Sequence, residues 1–181
     1  MKLKYTPLIL LFLLSPFINS CVSNADFNQV NLDVEPILNF PLVYFELDQS
    51  DFLDDTGTIE IQAVADVTEL EFFNSTTVRE NLTRVDLLFE LTNQFDRAFR
   101  IEVDFLDIDD NITYSFADIP IGVFTSDLQV RQNILIADNP QVLNTAKVRV
   151  TVNILSTGVV LDPTIERRFK FESVGIFYLD L

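Results

Sequence analysis

Residues 85 to 105, VDLLFELTNQFDRAFRIEVDF, decide the fold class. Val85, Leu87, Phe89 and Leu91 alternate with Asp86, Leu88, Glu90 and Thr92; Phe99, Ile101, Val103 and Phe105 then alternate with Arg100, Glu102, Asp104 and Leu106. A period of two places one residue set on each side of an extended chain, so each run is a strand with one apolar and one mostly polar face. Asn93 to Arg97 turns the chain between them, and the pair is predicted to be a hairpin.

The same period extends in both directions. Towards the C-terminus, Ile112 to Phe116 is a shorter strand, and Leu128, Val130, Ile134 and Ile136 outline another. Val148, Val150, Val152 and Ile154 alternate without a break, and a last strand from about Arg167 turns Phe169, Phe171, Phe177 and Leu179 inward, with a kink expected at Ser173 to Gly175. Towards the N-terminus, Ile59, Ile61, Ala63, Ala65 and Val67 read as a strand whose odd-numbered face is buried, with a phase slip near Thr68. Ile37 to Leu47 is β-rich but contains Pro41, which cannot donate to a central ladder and places this piece at an edge or a crossing. Two short helical turns complete the count: Thr77 to Glu80 matches the capping box, and Asn139-Pro140 reads as a cap with a first-turn proline. About seven strands and no long amphipathic helix make an all-β, antiparallel, two-sheet β-sandwich. Its architecture resembles the immunoglobulin and fibronectin-III type. The cysteine pair and core tryptophan of antibody domains are missing, so phenylalanines must fill that core.

The first 21 residues have a separate logic. Lys2 and Lys4 precede the apolar run Leu8 to Leu14, then come Ser15-Pro16 and small polar residues, the order of a secretory signal peptide. The run is too short for a spanning helix, which needs about 20 residues. Ile18-Asn19-Ser20-Cys21 resembles the lipobox of bacterial lipoproteins, with an aliphatic residue three before the cysteine and a small one just before it. Asn19 is unusual for its position. The resemblance implies that residues 1–20 are a signal peptide that is cleaved off and that Cys21 carries the lipid, with several acyl chains holding the protein to the membrane. Val22 in place of the aspartate that retains many such proteins at the inner membrane implies the outer membrane. Residues 21–36 then read as a tether and 37–181 as a single sandwich domain. A lipobox before a short acidic, phenylalanine-rich sandwich is similar to small lipoproteins of Gram-negative bacteria.

Composition sets the excluded chemistries. Without residues 1 to 20, ten basic residues face 28 acidic ones, a net charge of −18. That field repels nucleic acid phosphates. The chain has no histidine and one cysteine, which removes the Ser-His-Asp and Cys-His nucleophiles, histidine zinc sites and any disulfide framework. Its four glycines form no phosphate loop. An enzyme is not expected, and no cofactor is required.

One loop carries metal-ligand spacing. Asp107, Asp109 and Asn111 occupy positions one, three and five of an EF-hand-like loop, and Asp118 falls at position twelve, a candidate set for calcium. Ile112 stands where the loop needs glycine. Asp48, Asp51, Asp54 and Asp55 form a second acidic loop. The sequons at Asn74, Asn81 and Asn111 matter only in a eukaryotic secretory pathway and are read as chance. The chain is therefore expected to be a non-enzymatic binding or structural module with a protein partner in the cell envelope, or alternatively a calcium-dependent or carbohydrate-recognition sandwich.

Overall fold

Nine strands form two antiparallel sheets in the computed structural model, which describes residues 36–155, 157, 161–162 and 164–181. The strands are β1 (Ile37–Leu47), β2 (Ala63–Glu69), β3 (Leu82–Asn93), β4 (Phe99–Leu106), β5 (Ile112–Ser115), β6 (Ile119–Ile121), β7 (Leu128–Leu135), β8 (Lys147–Ile154) and β9 (Phe169–Leu179). The first sheet has the order β1-β9-β3-β7; the second has β2-β8-β4-β5, with β6 also paired to β4. The two-sheet sandwich is as the periodicity predicts. There are nine strands against about seven expected: the apolar runs match eight of them, and the ninth, β6, is three residues long, too short for alternation to reveal.

The predicted hairpin between β3 and β4 does not form. These two strands lie in different sheets, β3 between β7 and β9 and β4 between β8 and the β5/β6 edge. The connection at residues 94–98 is a corner that carries the chain across the core, and Asn93 fixes it. The Asn93 side chain, 1% exposed, donates to the backbone carbonyls of Arg97 and Gly122, both at 2.7 Å, and accepts from Phe95 N–H at 2.8 Å. Phe95 turns fully inward. The alternation is still satisfied, because the apolar faces of β3 and β4 oppose each other across the sandwich.

The pairings are nested: β1 with β9, β2 with β8, β3 with β7, and β4 with β5 and β6. They describe one long two-armed ribbon that turns at β4–β6 and rolls up, closing through β9–β3 and β8–β4. This is the connectivity of a jelly roll. In the immunoglobulin pattern consecutive strands pair within a sheet; here β4 with β5 is the one consecutive pair among the described residues. The immunoglobulin and fibronectin-III comparison therefore holds for the layers and fails for the strand order.

Phenylalanine fills the core as expected. Phe52, Phe73, Phe89, Phe95, Phe99, Phe105, Phe169, Phe171 and Phe177 are fully buried. Phe73, in the 3-10 turn Glu71–Asn74, stands edge-on to both Phe105 of the second sheet and Phe177 of the first, with centroids 5.9 and 5.8 Å away. Such edge-to-face pairs each add about 0.5–1.5 kcal/mol beyond area burial.

Local details sharpen other expectations. The short helix covers Thr76–Asn81 with Ser75 as its N-cap and no side-chain cap bond, so the Thr77–Glu80 capping box is not made. A 3-10 turn forms at Pro140–Asn144 as the proline suggested. Pro41 lies in edge strand β1, followed by a bulge before Tyr44. β9 runs through Ser173 and Gly175 without interruption: Ser173 Oγ accepts from Val43 N–H at 3.0 Å inside the bulge. A Cβ on Gly175 would meet the Phe177 ring at 2.6 Å.

β2 reverses its expected orientation. Ile59, Ile61 and Val67 are 64%, 40% and 50% exposed, and Ala63 and Ala65 are exposed with them. On the even set Val64 and Thr68 are half-buried and Asp66 is exposed; this phase is set by Leu70 and Phe73 just beyond the strand, which are anchored in the core, and by Leu70 N–H, which bonds Ala146 O at 2.8 Å. A one-residue change of register turns every side chain over, and those anchors choose the register.

Candidate functional site

The acidic loops are built from aspartates that hold their own turns. Asp107 Oδ1 accepts from the backbone N–H groups of Asp109 at 2.9 Å and Asn111 at 2.8 Å, while Asn111 Nδ2 donates to Oδ2 at 3.0 Å. Those bonds, the Asn111 side chain foremost, keep the Asp107 carboxyl below the ordinary carboxylate range. Asp110 sits in the left-handed region at φ 65° and pairs with Lys147 at 2.7 Å.

Asp118 does not join this loop. It precedes β6, opposite Glu102 of β4, and pairs with Arg100 at 3.6 Å. Five residues of strand, roughly 16 Å at about 3.3 Å per residue, separate that position from Asp107. Among the described residues no three acidic, histidine or cysteine side chains are arranged to hold a metal ion. Asp107 to Asn111 close a tight β4–β5 turn, and extended chain carries Asp118 away from it, so the four candidate residues are not brought together.

The second acidic loop works in the same way. Asp48 caps the 3-10 turn Gln49–Phe52, accepting from Ser50 N–H at 2.7 Å, while Asp51 accepts from Asp48 N–H at 2.8 Å. Asp54 accepts from the N–H groups of Thr58 and Ile59, both at 2.9 Å. The Ser50 hydroxyl holds Asp48 low, and the Ile59 N–H does so for Asp54. Asp55 makes no contact that assigns it a role.

Cys21, together with the segments 1–20 and 21–35, lies outside the described residues.

A polar pocket that the sequence did not reveal lies at the end of the sandwich where the 94–98 corner meets the segment before β9. Gln49, Asp96, Arg97, Leu161, Asp162, Ile165 and Arg167 line about 210 Å³. Arg167 binds Asp96 at 2.5 Å, and this guanidinium holds the Asp96 carboxyl below its usual range. Gln49, 5% exposed, accepts from Arg167 N–H at 3.0 Å, and its Nε2 has no hydrogen-bond partner. Beside it Phe124, 62% exposed and held at φ 47°, lies under the Arg167 guanidinium. The partners are separated by up to 118 residues in sequence, so no local motif could announce them.

The two outer faces differ. On the second sheet charge and amide contacts cover the surface: Arg149 with Asp104 at 2.6 Å and Asn153 with Glu102 at 3.1 Å between β8 and β4, and Arg100 with Glu102 at 3.1 Å along β4. On the first sheet one buried carboxylate, Asp86, gathers Arg131 at 2.5 Å, Arg84 at 3.1 Å and the Tyr178 hydroxyl at 3.2 Å. Arg84 also stacks 3.7 Å over the Tyr178 ring. Two exposed apolar residues stand opposite its members in the strand register, Ile37 beside Tyr178 and Leu135 beside Arg84.

No protein-family model matches the chain, and no curated protein matches it. Solved structures are similar to this chain at low identity. A protein of Parabacteroides distasonis thought to be secreted is 13% identical with a TM-score of 0.48, covering 62% of this chain and 36% of its own. A structure of the infectious bursal disease virus Gx strain is 4% identical with a TM-score of 0.46, covering 82% of this chain and 33% of its own. The Triatoma virus structure is 11% identical with a TM-score of 0.39, covering 91% of this chain and 73% of its own. The chain thus spans about a third of the length of the first two. The class is an all-β antiparallel sandwich, established by the strand register itself. No helix among the described residues is long and apolar enough to cross a membrane.

Proposed function

We propose that this chain is a lipid-anchored envelope protein, attached at Cys21 to the outer membrane, whose sandwich acts as a non-enzymatic binding or structural accessory to a protein partner. The observation that carries the anchor is the order Lys2 and Lys4, Leu8–Leu14, then Ile18-Asn19-Ser20-Cys21. The accessory role is supported by the surface: aspartates of both acidic loops secure turns, while apolar side chains stand exposed beside the Asp86 cluster and along β2. Exposed apolar side chains on the outer sides of both sheets offer contact area to a protein.

The anchor is tested by growing cells on labelled fatty acid. Wild type incorporates the label and fractionates with membranes, and Cys21→Ala does neither. Wild type that stays unlabelled and soluble would overturn the anchor. The accessory role is tested by cross-linking in intact envelopes, where one partner species is expected; recovery of the monomer alone would contradict it.

A further inference from the structure

Four strand edges border the two sheets, and three are guarded. β1 contains Pro41 and a bulge that breaks its regular ladder with β9. β5 and β6 are broken pieces of four and three residues. The edge of β7 faces a cleft of about 640 Å³ that Gln132 bridges, its Nε2 donating to Ala117 O at 2.9 Å and its Oε1 accepting from Ala117 N–H at 3.1 Å. Short strands, proline, bulges and covering groups are the ordinary means of blocking edge pairing.

β2 differs from all three. It is seven residues long, has no proline, and pairs with β8 without a register shift. Ile154 N–H bonds Gln62 O at 2.9 Å and Leu70 N–H bonds Ala146 O at 2.8 Å. The even-numbered residues therefore bond to β8, and the backbone N–H and C=O groups of Ala63, Ala65, Val67 and Glu69 point away from it. Among the described residues no strand pairs with that side. The same odd residues carry the exposed apolar row, so free backbone groups and uncovered side chains coincide along one line.

We infer that the free edge of β2 receives an extended segment of a partner protein, added as a further antiparallel strand, with apolar side chains beside Ala63, Ala65 and Val67 and a basic side chain opposite Asp66. Strand addition draws affinity from main-chain bonds and selectivity from alternate side chains. Asp66 is exposed on the opposite face of β2 from that row, and Glu69 ends the strand. With a chain net charge of −16, these carboxylates favour a cationic segment. A second copy would set acidic β2 against acidic β2, and like charges directly opposite are destabilising. This inference rests on the accessory reading and specifies its site and partner chemistry.

The probe is a capped peptide of roughly nine residues alternating valine and lysine, with a valine and glutamate counterpart; at about 3.3 Å per residue it spans β2. Wild type should bind the lysine peptide and not the glutamate one. Ala65→Pro removes an outward N–H and leaves the β8 bonds intact, so it should weaken binding by about tenfold or more with an unchanged melting temperature. Asp66→Lys, at an exposed position, should reverse the preference between peptides and provides the test should the proline variant misfold. Lysine-peptide binding that survives Ala65→Pro in a folded protein would overturn the inference, as would no binding to wild type. Self-association of wild type that Ala65→Pro abolishes would also overturn it, by making the occupant a second copy. If a cross-linked partner is found in envelopes while the peptide test fails, the accessory reading stands and the β2 edge falls.

Discussion

Two stretches of this chain alternate equally well and end in opposite places. In β3 and β4 the apolar set from Val85 to Phe105 is buried; in and before β2 the apolar set from Ile59 to Val67 faces outward. Alternation identifies two faces but not which of them turns inward. β3 and β4 are paired on both sides and packed face to face, so their apolar sets have one place to go. β2 is bonded on one side alone, and its phase is dictated by Leu70 and Phe73, which lie outside it.

Substitution measures the contrast directly. Phe99, in β4, packs on Phe52, Phe95 and Phe169 with centroids 5.3, 5.3 and 4.9 Å away. Phe99→Ala should cost about 3–5 kcal/mol in urea denaturation. Asn93→Ala should cost about 2–3 kcal/mol, because the corner carbonyls of Arg97 and Gly122 and the Phe95 N–H lose their buried partner. Were Asn93→Ala as harmless as a surface change, β3 and β4 would not need that corner to reach opposite sheets. Ile61→Thr and Val67→Thr, by contrast, should each stay within about 0.5 kcal/mol. A core-sized loss at either would restore the buried odd face that the sequence suggests.

The acidic loops give a smaller and pH-dependent effect. Asp107, Asp54 and Asp48 titrate below their ordinary value because their loops hydrogen-bond the ionised form. A carboxyl lowered in the folded state stabilises above the unfolded value, about 3.9, and that contribution is lost as pH falls through the folded value. The melting temperature should be insensitive to these groups between about pH 5 and 7 and should fall below about pH 4. Asp107→Ala should flatten part of that acid limb. The smallest expected effect is that of calcium: millimolar calcium should leave the melting temperature unchanged, since Asp118 is committed to Arg100 and Asp107 to its turn. A rise that Asp109→Ala removed would revive the calcium site.

What could be read from the sequence follows the same division. β8 and β9 were legible because central strands bury one complete face: Val148, Val150, Val152 and Ile154, and Phe169, Phe171 and Phe177, are where their period puts them. The assignment of β3 and β4 to different sheets was not, because a tight turn and a corner between sheets use the same polar residues over 94–98. Asn93 carried the difference through its bond to Gly122, 29 residues away. The Gln49, Asp96, Arg97 and Arg167 pocket was hidden for a similar reason, since the jelly-roll roll-up brings its members together. The acidic loops misled in the other direction, as aspartate serves a turn as readily as a cation.

Amide hydrogen exchange along β2 reads both the phase of the strand and the state of its outer edge. If the even phase faces inward and the outer edge is open, the amides of Val64, Asp66 and Thr68 are protected by β8, whereas those of Ala63, Ala65 and Val67 exchange rapidly. Uniform protection through Ala63–Glu69, or protection of the odd amides alone, would contradict that arrangement.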